Sequence, residues 1–419
     1  MRDEWLTFRL KDLTILITKG TTPTTSSGQF TASGVSFIKV ESISPSGRLL
    51  HSKIAHIDER THELLSRSKL AEDDILFSIA GTIGRTAIVT ADLLPANTNQ
   101  ALAIIRCNPD QVDPRFLLYA LSDTRRTQEA HARVVQSVQA NFSLRELGDL
   151  EISLPSLPEQ RRIAAVLGAL DDKIETNRTQ SAVALDLLQS HFESLIAPGL
   201  HYAGSGRALP EPWVGGHLGD WLDVLETGSR PKGGVAKYES GIPSIGAQSI
   251  VALGNFDFSQ TKFVPHDYFD SMKRGHVSDF DVLLYKDGGR PGEFEPHISM
   301  FGMGYPFARF CINEHVYRMR VTPPLSQEYL YCWLSSDPVM EQMRRTGTGV
   351  AIPGLNSTAV KMLPFVVPPR KIVEQFDEVA GGLARVILAA AAESQKLAEI
   401  RGTLLPKLLS GELRVRDAA

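Results

Sequence analysis

Leu154–Gln180, LPSLPEQRRIAAVLGALDDKIETNRTQ, opens on two prolines and then takes up a helical rhythm near the middle of a 419-residue chain. A second stretch, Val366–Ser394, VVPPRKIVEQFDEVAGGLARVILAAAAES, begins in the same way towards the other end. Proline fits the first turn of a helix, where its missing N–H has no partner to lose, so each run reads as a helix start. From the first start, Ile163, Leu167, Leu170, Ile174, Asn177, Ser181, Ala184, Leu188, His191 and Leu195 alternate in steps of four and three. The second keeps the same steps, each 213 residues on, at Phe376, Ala380, Leu383, Ile387, Ala390, Ser394, Leu397, Arg401, Leu404 and Leu408. That spacing is a heptad seam. Both seams are bulky at their ends and small or polar in the middle, which makes the two helices each other's natural partner.

Working outward, the rest of the chain is also written twice. WLTFRLKDL from Trp5 matches WVGGHLGDWL from Trp213, and TKGTTPTT matches ETGSRPKG, pairing Gly20 with Gly228 and Pro23 with Pro231. GVSFIKVESI from Gly34 answers GIPSIGAQSI from Gly241, and EDDILFSIAG answers DFDVLLYKDG, pairing Asp74 with Asp281 and Gly81 with Gly288. Each unit is a globular part of about 150 residues followed by a helix of about 45, one ordinary domain and then a spacer. In the globular parts, Val-, Ile- and Phe-rich runs such as GVSFIKV, DILFSI, TAIV and ALAIIRC alternate with Gly, Pro, Ser and Thr clusters, which is strand and turn chemistry. Two late segments, DPRFLLYALSDTRRTQEAHA and SQEYLYCWLSSDPVMEQMRR, read as helical. The expected fold is α+β: mostly-β domains over residues 1–154 and 201–366, and helices over 155–200 and 367–419 that form an antiparallel coiled coil. A pseudo-twofold axis relating the copies reverses one helix, sets the globular parts at opposite ends and returns the carboxyl terminus to the first. A helix of about 40 residues spans roughly 60 Å, more than one turn of duplex DNA.

LPSLPEQRRIAAVLGALDDKIETN and the terminal LAEIRGTLLPKLLSGELRV closely resemble the conserved helical regions of type I restriction-modification specificity subunits, and the order and duplication of parts agree over the whole chain. The resemblance implies a non-catalytic DNA-binding subunit in which each target recognition domain reads one half of a bipartite double-stranded target. It also implies that the helices set the gap and dock two methyltransferase subunits that use S-adenosylmethionine to modify adenine. Two motor-nuclease subunits, using ATP and Mg, would complete the restricting complex. One detail departs from a strict repeat. Glu159 and Gln160 recur as Glu374 and Gln375, two positions out of register with Pro155 on Pro368, so the pair reads as first-turn helix chemistry.

Composition supports a soluble globular chain, with 42% hydrophobic and 22% charged residues and no low-complexity tract. The start, MRDEWLTFRLKDL, is not a leader, and the most apolar run, LARVILAAAA, contains Arg385 and is too short for a membrane span, so the expected place is the cytoplasm. Cys107, Cys311 and Cys332 form no metal-spaced pair and read as core residues. A net charge of −4 removes the general attraction of a basic protein for nucleic acid, so DNA binding has to rest on local patches or on partners.

An active site is hard to find. HSKIAHID fits a His-x-Lys-x4-Asp phosphodiesterase pattern at His51, Lys53 and Asp58, but that chemistry needs a second such histidine and SQTKFVPHD lacks it. Asp110 with Asp172 and Lys173 makes a weak metal-nuclease pattern whose last two members fall on the helix face. VTPPLS and VVPPRK lack the flanks of an aminomethyltransferase loop, and FGMGYP is a turn rather than a cofactor fingerprint. An autonomous nuclease and a scaffold without base recognition are therefore the alternatives to a DNA reader, and no cofactor or metal is expected in this chain.

Reading DNA needs groups for base edges and cations for phosphates. The first globular part offers Lys19, Thr21, Thr22, Thr24, Ser26, Thr82, Arg85, Asn99, Gln100, Gln136, Gln139 and Asn141 in its polar loops. The second offers Ser229, Arg230, Lys232, Gln248, Lys286, Arg290, Arg344, Arg345 and Thr346. Corresponding loops differ in kind, SIAGTIG against YKDGGRP, while the helices keep a common seam. Two different half-sites on one repeated scaffold would require this contrast.

Overall fold

The computed structural model describes residues 5–24, 28–123, 142–290, 293–347 and 353–415. Ser26, Gln136, Gln139 and Asn141 lie outside them. The chain divides into two compact units, one drawn from residues up to Asp172 together with those from Ala398 onward, the other Lys173–Leu397.

In the first unit the strands are β1 (Leu6–Arg9), β2 (Thr14–Lys19), β3 (Phe30–Thr31), β4 (Val35–Ile38), β5 (Ala55–Ile57), β6 (Ile75–Ser78), β7 (Thr86–Ile88), β8 (Ala96–Thr98), β9 (Leu102–Cys107) and β10 (Glu151–Leu154). They form a β1–β10 ribbon, a sheet in the order β2-β9-β6-β7 and a sheet in the order β3-β5-β4-β8. Helices α1 (Glu59–Leu64), α2 (Pro114–Ser122) and α3 (Leu144–Gly148) lie between strands, and α4 (Leu157–Ser205) follows.

The second unit repeats the plan. Its strands are β11 (Val214–His217), β12 (Leu222–Thr227), β13 (Ile242–Ile245), β14 (Lys262–Val264), β15 (Val282–Tyr285), β16 (Gly289–Arg290), β17 (Glu293–Phe294), β18 (Ile298–Met300), β19 (Cys311–Ile312), β20 (Val316–Val321) and β21 (Pro364–Val367). The ribbon is β11–β21, the main sheet runs β12-β20-β15-β18, and the smaller sheet runs β14-β13-β19. Even the irregularities recur: the register slips between Thr14 and Leu16 in one copy and between Leu222 and Val224 in the other. In each copy the single parallel pairing of the smaller sheet is the same one, β4 with β8 and β13 with β19. Among the described residues the β16–β17 hairpin occurs in the second copy alone. Its helices are α5 (His266–Ser271), α6 (Gln327–Ser335), α7 (Asp337–Thr346), α8 (Ser357–Lys361) and α9 (Arg370–Leu409).

The second of the late helical segments is interrupted. SQEYLYCWLSSDPVMEQMRR is two helices, because Pro338 removes an N–H that a continuous helix would need and takes the first turn of α7 instead. DPRFLLYALSDTRRTQEAHA is helical over Pro114–Ser122 among its described residues.

Why the repeat holds is visible at two paired positions. Asp74 and Asp281 are fully buried. The Arg106 guanidinium donates to both Asp74 carboxylate oxygens at 2.7 Å, and the Ala71 N–H donates to Asp74 at 2.8 Å. Asp281 takes Arg318 and Arg320, one on each oxygen, and the Ser278 N–H at 2.7 Å. Gly20 and Gly228 are the second pair. A Cβ on Gly20 would stand 2.1 Å from the Thr98 carbonyl oxygen, and one on Gly228 would stand 1.6 Å from that of Ile312, so only glycine lets these chains pass.

The long helices bury Ile163, Leu167, Ile174, Leu188, Phe376, Ile387 and Leu408 of the expected seam, whereas Leu170, Leu195, Leu383, Leu397 and Leu404 are only half-buried and the neighbouring Phe192, Ile196, Ala384 and Leu388 are buried instead. In the second unit Ala184, Leu188, Phe192 and Ile196 share a core with Val373, Phe376, Ala380, Ala384, Ile387 and Leu388. The rings of Phe192 and Phe376 meet edge to face at 5.6 Å. The buried Asn177 donates its amide N–H to Glu393 at 2.8 Å, Lys173 reaches the same carboxylate at 3.1 Å, and His191 contacts the Gln375 carbonyl at 3.3 Å. Residue numbers rise on one helix as they fall on the other, so the pair is antiparallel. In the first unit Ile163 and Leu167 share a core with Leu408 and Leu10, and Arg401 pairs with Asp171 at 2.7 Å. A polar residue at a seam position fixes register at some cost in stability, which is how we read Asn177.

The first-turn reading of the Glu-Gln pairs holds for Glu159 but not for Glu374, which lies past the first turn of α9 because that helix begins at Arg370. Gln160 is buried, accepts from the Asp113 N–H at 2.9 Å and donates to the Pro155 carbonyl at 3.0 Å, fastening the start of α4 to the loop before α2. Glu159 pairs with Arg162. Gln375 is exposed and Glu374 pairs with Arg370 at the surface.

Burial pushes the Glu328 carboxyl above its ordinary range, with the neighbouring Asp377 adding to it, and burial likewise raises Asp377 against a hydrogen bond from Ser326 at 2.6 Å. A raised carboxyl contributes stability that is present below the ordinary carboxylate range and lost as pH rises through the folded pKa. Glu328→Gln removes this dependence, so its stability relative to the parent is expected to increase from pH 4 to pH 7. Thermal unfolding at a series of pH values tests it; a difference that stays flat or falls would contradict the burial argument.

The three cysteines are buried, and burial pushes the Cys107 thiol up to about 12 and Cys311 to about 11, consistent with inert core residues. No helix among the described residues is long and apolar enough to cross a membrane.

Candidate nucleic-acid interface

The candidate loops gather at the same edge of the main sheet in each copy. In the first, β2 ends at the exposed Lys19, and the chain crosses beside β8 and β9: the Gly20 N–H donates to Leu102 at 3.2 Å and the Thr21 N–H to Thr98 at 3.0 Å. The Thr22 hydroxyl donates to the Gln100 side-chain oxygen. The β6–β7 turn joins them through Ile79, whose N–H donates to Ala101 at 2.9 Å and whose carbonyl accepts the Phe142 N–H at 2.9 Å. Lys19, Thr21, Thr22, Gln100 and the exposed Thr82 therefore share one pole. Thr24 is exposed farther along the same loop.

Two members are tied into the fold. Arg85 donates through Nη1 to the Ile43 carbonyl at 2.7 Å, bracing the turn. Asn99 accepts the Ala101 N–H at 3.2 Å, and Asn313, its counterpart, accepts the His315 N–H at 2.9 Å. A side chain that closes the same turn in both copies serves the turn first. Arg67 was missed by sequence reasoning. It reaches the Thr21 hydroxyl at 3.4 Å from a short turn after α1, and nothing in SRSKL marks it as near TKGTT.

The second pole has the same layout and different chemistry. The Gly228 N–H donates to Asn313 at 3.1 Å, the Lys286 N–H donates to His315 at 2.9 Å, and Gln248 is exposed on the turn after β13. Arg230 pairs with Glu314 and lies 3.3 Å from His315 Nε2. His315 Nδ1 meets Asp287 at 2.6 Å, and Lys286 lies 3.6 Å from the same carboxylate. Ser229 shares a hydrogen bond with the Tyr268 hydroxyl at 2.8 Å, and Lys232 is exposed. Burial, and then the Asp287 charge, pushes Tyr285 and Tyr317 up, so both stay neutral. Arg344 pairs with Glu295 at 3.3 Å and Arg345 with Glu341 at 2.8 Å, with Thr346 exposed beside them at the end of α7. Gly347 packs this helix end against Phe294 of β17, next to the strand holding Arg290. Asn313, Glu314 and His315 were missed, although aligning CINEH with the NTNQA turn finds the first of them.

Asp58 caps α1, accepting the Thr61 N–H at 2.6 Å, and FGMGYP is a tight turn closed between Gly302 and Tyr305. The duplicated β scaffold thus carries one hydroxyl- and amide-rich loop pole in the first unit and one charged loop pole in the second, each followed by a long helix.

Residues 2–184 match the family described as type I restriction modification DNA specificity domain. The chain is 23% identical to the type I restriction enzyme MjaIX specificity subunit of Methanocaldococcus jannaschii, covering 99% of this chain and 94% of that one. It is 20% identical to the HindI specificity subunit of Haemophilus influenzae, covering 87% and 92%. The crystal structure of the type I restriction-modification S subunit from M. genitalium shares the fold, with a TM-score of 0.59 at 15% identity over 97% of this chain and 96% of that one. Over nearly its whole length the chain is similar to type I restriction-modification specificity subunits, with the DNA specificity domain matched over residues 2–184.

Proposed function

We propose that each β module reads one half of a bipartite duplex target through its loop pole, and that the paired helices set the gap and hold two methyltransferase subunits in the cytoplasm. S-adenosylmethionine would bind those subunits, and ATP with Mg would serve two motor-nuclease subunits. The observation that carries this reading is the contrast between poles of identical layout: Thr21, Thr22 and Gln100 in one, Arg230, Lys286 and their acidic partners in the other. Side-chain amides suit adenine edges and guanidinium groups suit guanine edges, so the poles favour unlike half-sites. With those cations already paired with acids and a net charge of −4, the isolated chain is expected not to hold DNA indiscriminately.

Replacing residues 1–154 with the corresponding part of a relative tests the proposal in the assembled methyltransferase. One half of the methylated sequence is expected to change and the other to persist; an unchanged target would leave only a scaffold. Adding one heptad to each helix, about 10 Å of rise, is expected to lengthen the gap without altering either half-site. A fixed gap would dispose of the spacer.

A further inference from the structure

We propose that Glu59, His62 and Glu63 form a binding site for a divalent transition-metal ion under the first module's loop pole. The three lie on α1 at spacings that share a helix face, and their ligand atoms are all within 4.8 Å of one another. His62 is the decisive member. Its side chain is 10% exposed, and Nδ1 is hydrogen-bonded to the Asn97 side-chain oxygen. The Asn97 amide is orientated independently, because its Nδ2 donates to the Leu65 carbonyl at 3.1 Å and the Ser68 hydroxyl at 3.0 Å. Nδ1 therefore carries the proton, a tautomer assigned from the network. In the neutral ring this leaves Nε2 with a bare lone pair, 4.0 Å from a Glu63 carboxylate oxygen and without a hydrogen-bond partner among the described residues.

A lone pair facing a carboxylate is relieved by a second ring proton, by water or by a cation, and of these a metal ion engages Nε2 and both carboxylates at once. One imidazole, with its other nitrogen held by a side-chain carbonyl, and two carboxylates suit zinc, cobalt or nickel better than magnesium or calcium. Lys69 now lies 2.6 Å from Glu63 and holds that carboxyl below the usual range; its ammonium is the cation a metal would displace. The ion would stiffen the loops rather than do chemistry. Thr61 on α1 accepts the Gln29 N–H at 3.2 Å, and Asn97 lies in β8, which leads into the Asn99–Gln100 turn.

The test uses the full chain, stripped of metal and titrated with zinc in a calorimeter and with cobalt under visible absorption. One ion per chain is expected, with a cobalt ligand-field band and a zinc-dependent rise in Tm. The variant carrying Glu59→Gln and Glu63→Gln, both exposed positions, is expected to lose at least about 100-fold in affinity and the whole Tm rise. No uptake by the parent chain, or equal uptake by the variant, would overturn the site. Neither result bears on the DNA reading, which does not depend on it.

Discussion

Asp281→Ala is expected to lower the stability of the second unit by about 3–5 kcal/mol, the range for removing one partner of a buried ion pair. The carboxylate is fully buried between Arg318 and Arg320, whose side chains are 15% and 30% exposed. Removing it takes the main partner from two guanidinium groups in a partly desolvated place, leaving Arg318 with Glu226 at 2.9 Å and Arg320 with the Asp279 carbonyl at 3.3 Å. The Ser278 N–H also loses its acceptor. Asp74→Ala makes the same change in the first unit but strands a single arginine, Arg106, at 34% exposure, so water can relieve more of the loss. The expected order is therefore a larger effect at Asp281 than at Asp74, each confined to its own unit's unfolding transition. Urea unfolding followed by probes in each unit measures this. A loss under 1 kcal/mol at Asp281, or equal losses at both positions, would mean that these arginines find other partners and that the repeated ion pair does not hold the sheets.

The repeated features were legible because the two copies check each other. A lone aspartate before a strand or a lone glycine after one is ambiguous, but Asp74 with Asp281 and Gly20 with Gly228 sit at one place in the motif, and both pairs fall at sheet contacts. The seam was legible for a similar reason: a period of three and four is a local rule, and Ile163, Leu188 and Phe376 obey it wherever the rest of the chain goes. Pole membership was not local. Arg67 is far along the chain from Thr21, and Gln160 spans from Asp113 to Pro155, so neither contact leaves a trace in nearby sequence. Composition also hides partnership. Arg230, Lys286 and Arg344 look like free phosphate contacts until Glu314, Asp287 and Glu295 are found beside them. Pro338 was readable and outweighed: the apolar spacing of SQEYLYCWLSSDPVMEQMRR runs across it, whereas the backbone does not.

Gly228→Ala is expected to remove discrimination at the second half-site while leaving the first intact, and Gly20→Ala to do the reverse. The added methyl of Gly228→Ala meets backbone on every side, with the Ile312 carbonyl oxygen at 1.6 Å, its carbon at 2.4 Å and the Asn313 nitrogen at 3.1 Å. No side chain can rotate out of the way, so two chain segments have to part. One carries Ser229 and Arg230; the other carries Asn313, Glu314 and His315, so the shift falls on the charged pole itself. Each base pair no longer read costs about 1–3 kcal/mol, roughly 5- to 150-fold in preference. Binding of the assembled methyltransferase to four duplexes, with neither, either or both half-sites altered, separates the two glycines. If Gly228→Ala weakened all four duplexes alike while its unfolding transition stayed in place, the loops beside it would be phosphate contacts only, and base reading would have to lie elsewhere on the module.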